Sequence, residues 1–245
     1  MAKEENIILP VLAGVAILAF ISQNSKPSST SPAAPGSGLT PTNYIKLYWP
    51  DALHAQLQTN VPALVTITQG GLESGWGKSA PGNNHFGIKA GSSWAGPTQL
   101  LKTWECGKSG DAAKDGIRDK VLAIYKPGDP SGVCGTADLQ DFYDWHMYCD
   151  KYKMPGEAII AGSMYSYRVL GKFRKYASAR DSFIDHGVFL SVNPRYKKAF
   201  LYTKDPYQFA REIAAAHYAT DPNYASKLVS SMRIVSDVLK RHGMI

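Results

Sequence analysis

Gln69-Gly70-Gly71-Leu72-Glu73-Ser74-Gly75-Trp76-Gly77-Lys78, with Pro81-Gly82-Asn83-Asn84-His85-Phe86-Gly87-Ile88-Lys89 close behind, is the stretch around which this chain is organised. One acidic residue, Glu73, stands there among small and aromatic residues. The apolar run from Val61 to Leu72 predicts a buried helix, with Pro62 suited to its first turn. Glu73 then falls at or near the C-terminal end of that helix. Gly75, Gly77, Gly82 and Gly87 allow tight turns and close backbone approach beyond it. A carboxyl between a buried helix and an aromatic-lined turn is partly desolvated, and desolvation raises its pKa. A carboxyl that stays protonated near neutral pH is what a general acid requires. The competing reading is a surface glutamate beside a helix cap, and the residues of this stretch alone do not separate the two.

The chain has 245 residues, 44% hydrophobic and 19% charged, which fits a folded protein rather than a disordered one. Roughly 200 residues follow the first forty, enough for one sizeable core. The formal charge of +7 suits an anionic partner: nucleic acid, membrane headgroups or an acidic wall polymer. No long Lys/Arg block or nucleic-acid fingerprint is present, so nucleic acid is not expected as a partner. Cys106, Cys134 and Cys149 are not spaced like zinc ligands, and outside the cytosol they allow one disulfide and one free thiol. Which pair forms it stays open. His85 and His217 have no accompanying ligand set, so neither a catalytic metal nor a cofactor is expected. The oligomeric state leaves no mark on the sequence.

Read in order, the chain begins with a short charged segment and then an uncharged apolar run from Ile7 to Ile21. A spanning helix needs about 20 residues, and Asn6 and Ser22 bring the run to the lower end of the range. Glu4 and Glu5 ahead of it, and no clear small-residue cleavage site after it, favour an uncleaved anchor over a signal peptide. Residues 1–22 are thus read as a membrane anchor. Residues 23–42, rich in Ser, Pro, Thr and Ala, form a flexible linker that cannot bury enough apolar surface to fold. The globular part covers 43–245. Asn43 to Gln58 carries Tyr44, Leu47, Tyr48, Leu53 and Leu57 at helical spacing and is interrupted by Pro50. Residues 75–110 read as a loop and β-hairpin lobe with a strand near Thr98–Glu105, and Leu139 to Tyr148 as a short helix. Ser178-Ala-Arg-Asp181 has the form of a capping box. Asp205-Pro206 and Asp221-Pro222 each pair a cap with a first-turn proline, predicting helices at about 206–216 and 222–241, the second with Leu228, Met232, Val235 and Leu239 on one face.

The string Leu72-Glu-Ser-Gly-Trp-Gly-Lys-Ser-Ala-Pro-Gly-Asn-Asn-His-Phe-Gly-Ile-Lys-Ala90 resembles the signature of bacterial cell-wall glucosaminidases, the group of flagellar peptidoglycan hydrolases and autolysins. Ser93-Trp94-Ala95-Gly96-Pro97, Thr103-Trp104-Glu105, Phe173-Arg174-Lys175-Tyr176-Ala177-Ser178, Asp181-Ser182 through His186, Asn193-Pro194-Arg195-Tyr196, and His217-Tyr218-Ala219-Thr220-Asp221-Pro222-Asn223-Tyr224-Ala225 resemble further family elements in family order. The resemblance implies a lysozyme-like, mainly helical α+β fold with a small β-hairpin lobe across a sugar-binding cleft. It implies hydrolysis of the β-1,4 bond after N-acetylglucosamine in peptidoglycan. Glu73 matches the family's general acid, Glu105 its second acidic residue, and Tyr218 a tyrosine that supports the reacting sugar.

The chain departs from the family between Glu105 and Phe173, where an insertion at about 110–170 is expected, and at His217, where the family more often has glycine. Glycoside hydrolysis commonly sets a protonated carboxyl at the leaving oxygen and a second group across the ring. Here that second group is either Glu105, activating water, or the substrate's own acetamido group. Tyr218 either stabilises positive charge at the sugar or hydrogen-bonds the acetamido group; the alternative is a core tyrosine. Trp76, Asn84, Phe86 and Trp94 are candidates for substrate contact, though some of the aromatics must be core and Asn84 also suits the turn beneath the acid. Asp181 is explained by its capping position. The expected protein is a membrane-anchored hydrolase facing peptidoglycan glycan strands, in a bacterial envelope or a virion membrane. The alternatives are a muramidase-type lytic enzyme of a membrane-containing virus and a non-catalytic wall-binding assembly module.

Overall fold

A computed structural model describes residues 39–125, 165–219 and 223–245. The expected anchor, the linker as far as residue 38, the helix expected at 139–148 and the Asp221-Pro222 pair lie outside these residues. Among the described residues no helix is long and apolar enough to cross a membrane. The elements are α1 (Pro41–Thr59), α2 (Ala63–Glu73), β1 (Thr98–Gly107), β2 (Lys120–Tyr125), β3 (Tyr165–Arg174), α3 (Ala179–Val192), α4 (Pro206–Ala215) and α5 (Tyr224–Arg241), with short 3-10 turns between them. The architecture is mainly helical with a small antiparallel sheet.

Helix α2 is the centre of the helical core. Leu64 alone among its residues is not buried, and α1, α3, α4 and α5 all pack against it. Pro62 stands one place before the helix, not within its first turn. It offers no capping side chain, and Gln56 Oε1 accepts from the Ala63 N–H at 2.6 Å instead. Two adjacent glycines weaken a helix by about 1 kcal/mol each relative to alanine. Close packing explains them here: a Cβ on Gly70 would lie 2.9 Å from Tyr44 Oη, and one on Gly71 2.5 Å from two carbons of the Trp76 ring.

Helix α1 differs from expectation in two ways. It runs unbroken through Pro50. Pro50 and Lys46 both lie on the exposed side, so the Lys46 carbonyl that loses its donor faces water, and burial of the opposite side holds the helix together. The buried stripe is also a different one. It comprises Tyr44, Ile45, Trp49, Ala52, Ala55 and Thr59, while Leu47, Leu53 and Leu57 face solvent, Leu57 at 82% exposure. Small Ala52 and Ala55 let α1 lie close to its neighbours, an arrangement hydrophobicity alone does not single out.

The remaining helices follow their caps. Ser178 Oγ accepts from Asp181 N–H while Asp181 accepts from the Ser178 N–H, closing the capping box at α3. Asp205 accepts from the Tyr207 and Gln208 N–H groups at α4. Helix α5 buries Leu228, Met232, Val235 and Leu239 as expected, but it starts at Tyr224 after Asn223, later than the proline pair suggested.

The β lobe is not a hairpin. Its order is β1-β3-β2, both pairs antiparallel, with Thr98 opposite Arg174 and Gly107 opposite Tyr165. The Phe173-Arg174 element is therefore the end of a central strand. Residues 120–125 and 165–170, at the two ends of the stretch expected as an insertion, belong to the sheet. A register shift between Val121 and Ala123 breaks the alternation that would have marked β2 in the sequence. Cys106 on β1 is disulfide-bonded; Cys134 and Cys149 lie outside the described residues.

Candidate active site

Glu73 is the last residue of α2, and the turn after it is built by backbone bonds. The Gly75 N–H donates to the Leu72 carbonyl and the Trp76 N–H to the Gly71 carbonyl, at 3.4 and 2.6 Å, with Gly75 at φ 59°. This is a Schellman closure, and its accompanying apolar contact is the Trp76 ring laid on Gly71. Trp76 itself has φ 59°, which costs a non-glycine residue about 1–2 kcal/mol. The chain thus turns sharply and leaves Glu73 facing a cavity of about 210 Å³. Ser79, Pro81, Asn84 and Gly87 line one side; Leu101, Lys102 and Thr103 of β1, with Phe173 of β3, line the other. The acid therefore sits between the helical core and the sheet.

Glu73 is 8% exposed, and no cation pairs with it among the described residues. Burial pushes its pKa from 4.5 up to about 8. Two buried phenols stand nearby, Tyr218 and Tyr224, their rings stacked with centroids 5.7 Å apart. Both are raised well above the ordinary phenol range, first by burial and next by the charge of Glu73. Gln69 Nε2 donates to Tyr224 Oη at 2.8 Å, and Tyr218 Oη lies 3.2 Å from His186 Nε2.

Tyr218 is placed by the end of α4. The His217 N–H donates to the Ala214 carbonyl and the Tyr218 N–H to the Ile213 carbonyl, a second Schellman closure. His217 occupies its left-handed position at φ 56°, with its side chain exposed. This geometry accounts for the glycine expected there from the family pattern. His217→Gly should stabilise the fold by about 0.5–1 kcal/mol, less than the full left-handed penalty because glycine gains freedom in the unfolded chain. A urea midpoint that stays put or falls would contradict this.

Glu105 lies on β1, in line with Leu101 and Thr103 but one step further along the strand and outside the cavity lining. Lys89 forms ion pairs with Glu105 and, at 2.6 Å, with Asp119. Burial works against the Lys89 charge, but the two carboxylates outweigh it and hold the ammonium protonated above its ordinary range. Asn84 lines the cavity, yet its amide is spent on the fold: Nδ2 donates to the Ile88 and Arg174 carbonyls and Oδ1 accepts from the Ile88 N–H, all at 3.0 Å. Trp76 and Phe86 are buried, the latter stacked on the His186 ring at 3.8 Å, so both rings face protein. Trp94 is half-buried, with the Arg174 guanidinium over its ring at 4.5 Å. Arg174 in turn makes a two-point contact with Asp185, to which Tyr176 also donates. Asp181 is occupied in its cap.

The cavity thus brings together Glu73 and Asn84, with Tyr218 electrostatically behind the acid. Glu105, Tyr218, Trp76, Phe86 and Trp94 are not among the residues that line it. Ser79, Lys102, Thr103, Gln69, His186 and Tyr224 carry no role in the sequence reading, although all but Lys102 stand in the quoted motifs. For His186 and Tyr224, nothing local marks them as neighbours of the site.

The sequence profile of the family described as mannosyl-glycoprotein endo-beta-N-acetylglucosaminidase matches residues 49–236. The peptidoglycan hydrolase FlgJ of Pseudomonas aeruginosa is 27% identical over 221 residues, covering 86% of this chain and 42% of that protein. The FlgJ of Salmonella typhimurium is 29% identical over 207 residues, covering 82% and 48%. The chain thus spans less than half the length of these relatives. Among solved structures, the glycoside hydrolase domain of Salmonella typhimurium FlgJ superimposes with a TM-score of 0.54 at 24% identity, over 84% of this chain and 94% of that one. A peptidoglycan hydrolase mutant from Sphingomonas sp. A1 gives 0.52 at 26% identity, over 82% and 99%. With a family match that runs from α1 into α5 and encloses the cavity beneath Glu73, the chain belongs to the glucosaminidase family.

Proposed function

We propose that this chain is a peptidoglycan hydrolase that cleaves the β-1,4 bond after N-acetylglucosamine, with Glu73 as general acid. The observation that carries the reading is a buried carboxyl, paired with no cation among the described residues, that faces a cleft between core and sheet and keeps its proton to about pH 8. In the reaction Glu73 protonates the leaving glycosidic oxygen while positive charge develops at the sugar. The group across the ring is the substrate's acetamido oxygen. Supporting this choice over Glu105 is the ion pair that already engages Glu105 with Lys89. Tyr218 holds the acetamido group beside the acid. The apolar run at 7–21 and the linker after it support an enzyme tethered at a membrane face, with the wall polymer in reach.

Mass analysis of fragments released from purified walls tests the bond. Reducing ends of N-acetylglucosamine are expected; ends of N-acetylmuramic acid would make the enzyme a muramidase, and binding without release would make it an assembly module. The pH profile tests the acid. A general acid works while protonated, so kcat/KM should fall above pH 8, by roughly tenfold for each further unit. A basic limb near pH 5 instead would mean that Glu73 is not held protonated by burial.

A further inference from the structure

His186, on α3, is fully buried, and its ring is pinned flat on Phe86, 3.8 Å away with 4° between the planes. Burial lowers its pKa to about 3, so the imidazole is neutral and carries a single N–H. Nε2 is 3.2 Å from Tyr218 Oη, whereas Nδ1 has no hydrogen-bond partner among the described residues. The two tautomers are therefore unequal. A proton on Nδ1 would leave a buried donor unpaired, while a proton on Nε2 leaves only a lone pair unpaired. Buried donors without partners are the rarer and costlier case. Gln69 repeats the pattern: its Nε2 donates to Tyr224 Oη and its Oε1 is the atom left over. Behind Glu73, then, a side-chain nitrogen stands within hydrogen-bond reach of each phenol oxygen.

We propose that His186 sets the hydrogen-bonding polarity of Tyr218: its Nε2–H donates to the phenol oxygen, which frees the phenol proton for an acceptor oxygen of the sugar bound beside Glu73. The inference rests on Tyr218 belonging to the reaction site and decides between its two conceivable roles. A phenol oxygen already accepting from an imidazole is a poor lone-pair stabiliser of positive charge and a good donor. The acceptor that fits is a carbonyl oxygen, such as that of the acetamido group. His186 is thus a positioning residue acting through Tyr218.

Two measurements test this. The first reads the tautomer in the full-length wild type, with ¹⁵N-labelled imidazoles and the His186 resonance identified by its loss in His186→Gln. A proton on Nε2 supports the proposal and a proton on Nδ1 overturns it, whatever the substrate is. The second reads turnover of purified peptidoglycan. His186→Leu should lower kcat about tenfold, the worth of one hydrogen bond, with little change in KM. His186→Gln, which keeps an N–H donor, should recover to within about threefold of wild type. In a Tyr218→Phe background the leucine change should cost nothing further. Equal losses for leucine and glutamine, or an undiminished loss in the Tyr218→Phe background, would overturn the positioning role. A wild type without turnover would overturn the hydrolase reading while leaving the tautomer result to stand or fall separately.

Discussion

Glu73→Gln is expected to lower peptidoglycan turnover by roughly 10²–10⁴-fold, the range typical for loss of a positioned general acid. Glutamine keeps nearly the same shape and fills the same cavity wall, but it has no proton to give the leaving oxygen. The same substitution should also change how stability depends on pH, and the sign follows from the pKa. Glu73 titrates at about 8 in the folded state and at 4.5 unperturbed. The folded protein therefore holds a proton that the unfolded chain releases, so this group's contribution is fully present below pH 4.5 and is lost as pH rises through 8. The loss amounts to something on the order of 4 kcal/mol across that window. The glutamine variant has no such term. Its unfolding midpoint should match wild type at pH 4 and exceed it clearly at pH 8. Undiminished clearing of cell walls by Glu73→Gln would remove the acid from its role, and parallel pH–stability curves for the two proteins would show that Glu73 is not desolvated.

How far the sequence foretold this site depends on the range over which each signal acts. The burial of α2, the caps of α3 and α4, and the core stripe of α5 come from residues within a turn or two of one another, and the structure has them as read. The α1 stripe does not follow the strongest hydrophobes. Leu57 is exposed because Ala52, Ala55 and Thr59 occupy the side that α2 and α3 approach, and small residues carry little hydrophobic signal. The sheet escapes a local reading for a related reason. Strand β1 pairs with β3, some sixty residues on, so neither strand has a partner within hairpin distance. The surroundings of Glu73 are harder still. The Gln69–Tyr224 bond joins positions 155 residues apart and the His186–Tyr218 contact joins positions 32 apart. Each pairing is fixed only when α2, α3, α4 and α5 have docked. Motif order named Tyr218 without its partner, and left His186 and Tyr224 without roles.

Gly71→Ala is expected to destabilise the protein and to cut turnover by about 10²-fold, although alanine is the better helix former. Propensity alone favours the substitution by about 1 kcal/mol. Against it, the new Cβ would lie 2.5 Å from Cε3 and Cζ3 of Trp76, closer than any real contact permits. The ring has little room to retreat. It is 6% exposed, meets the edge of Tyr44 at 5.8 Å, and hangs from a backbone already in the left-handed region. Overpacking of this kind costs about 1–3 kcal/mol, so the balance falls on the side of destabilisation. The kinetic effect is the larger one, because relief requires the turn after α2 to shift. That turn carries the carbonyl and amide pairs that end the helix two residues from Glu73, and a displacement near 1 Å at an acid can cost a hundredfold in rate. The mechanism makes a further demand. Trp76→Leu alone should destabilise by opening a cavity, but it removes the ring that the new methyl strikes. The double variant should then be more stable than the two single losses predict, by at least about 1 kcal/mol of coupling in denaturant unfolding. Strict additivity would mean that Gly71 is needed for some reason other than its contact with Trp76.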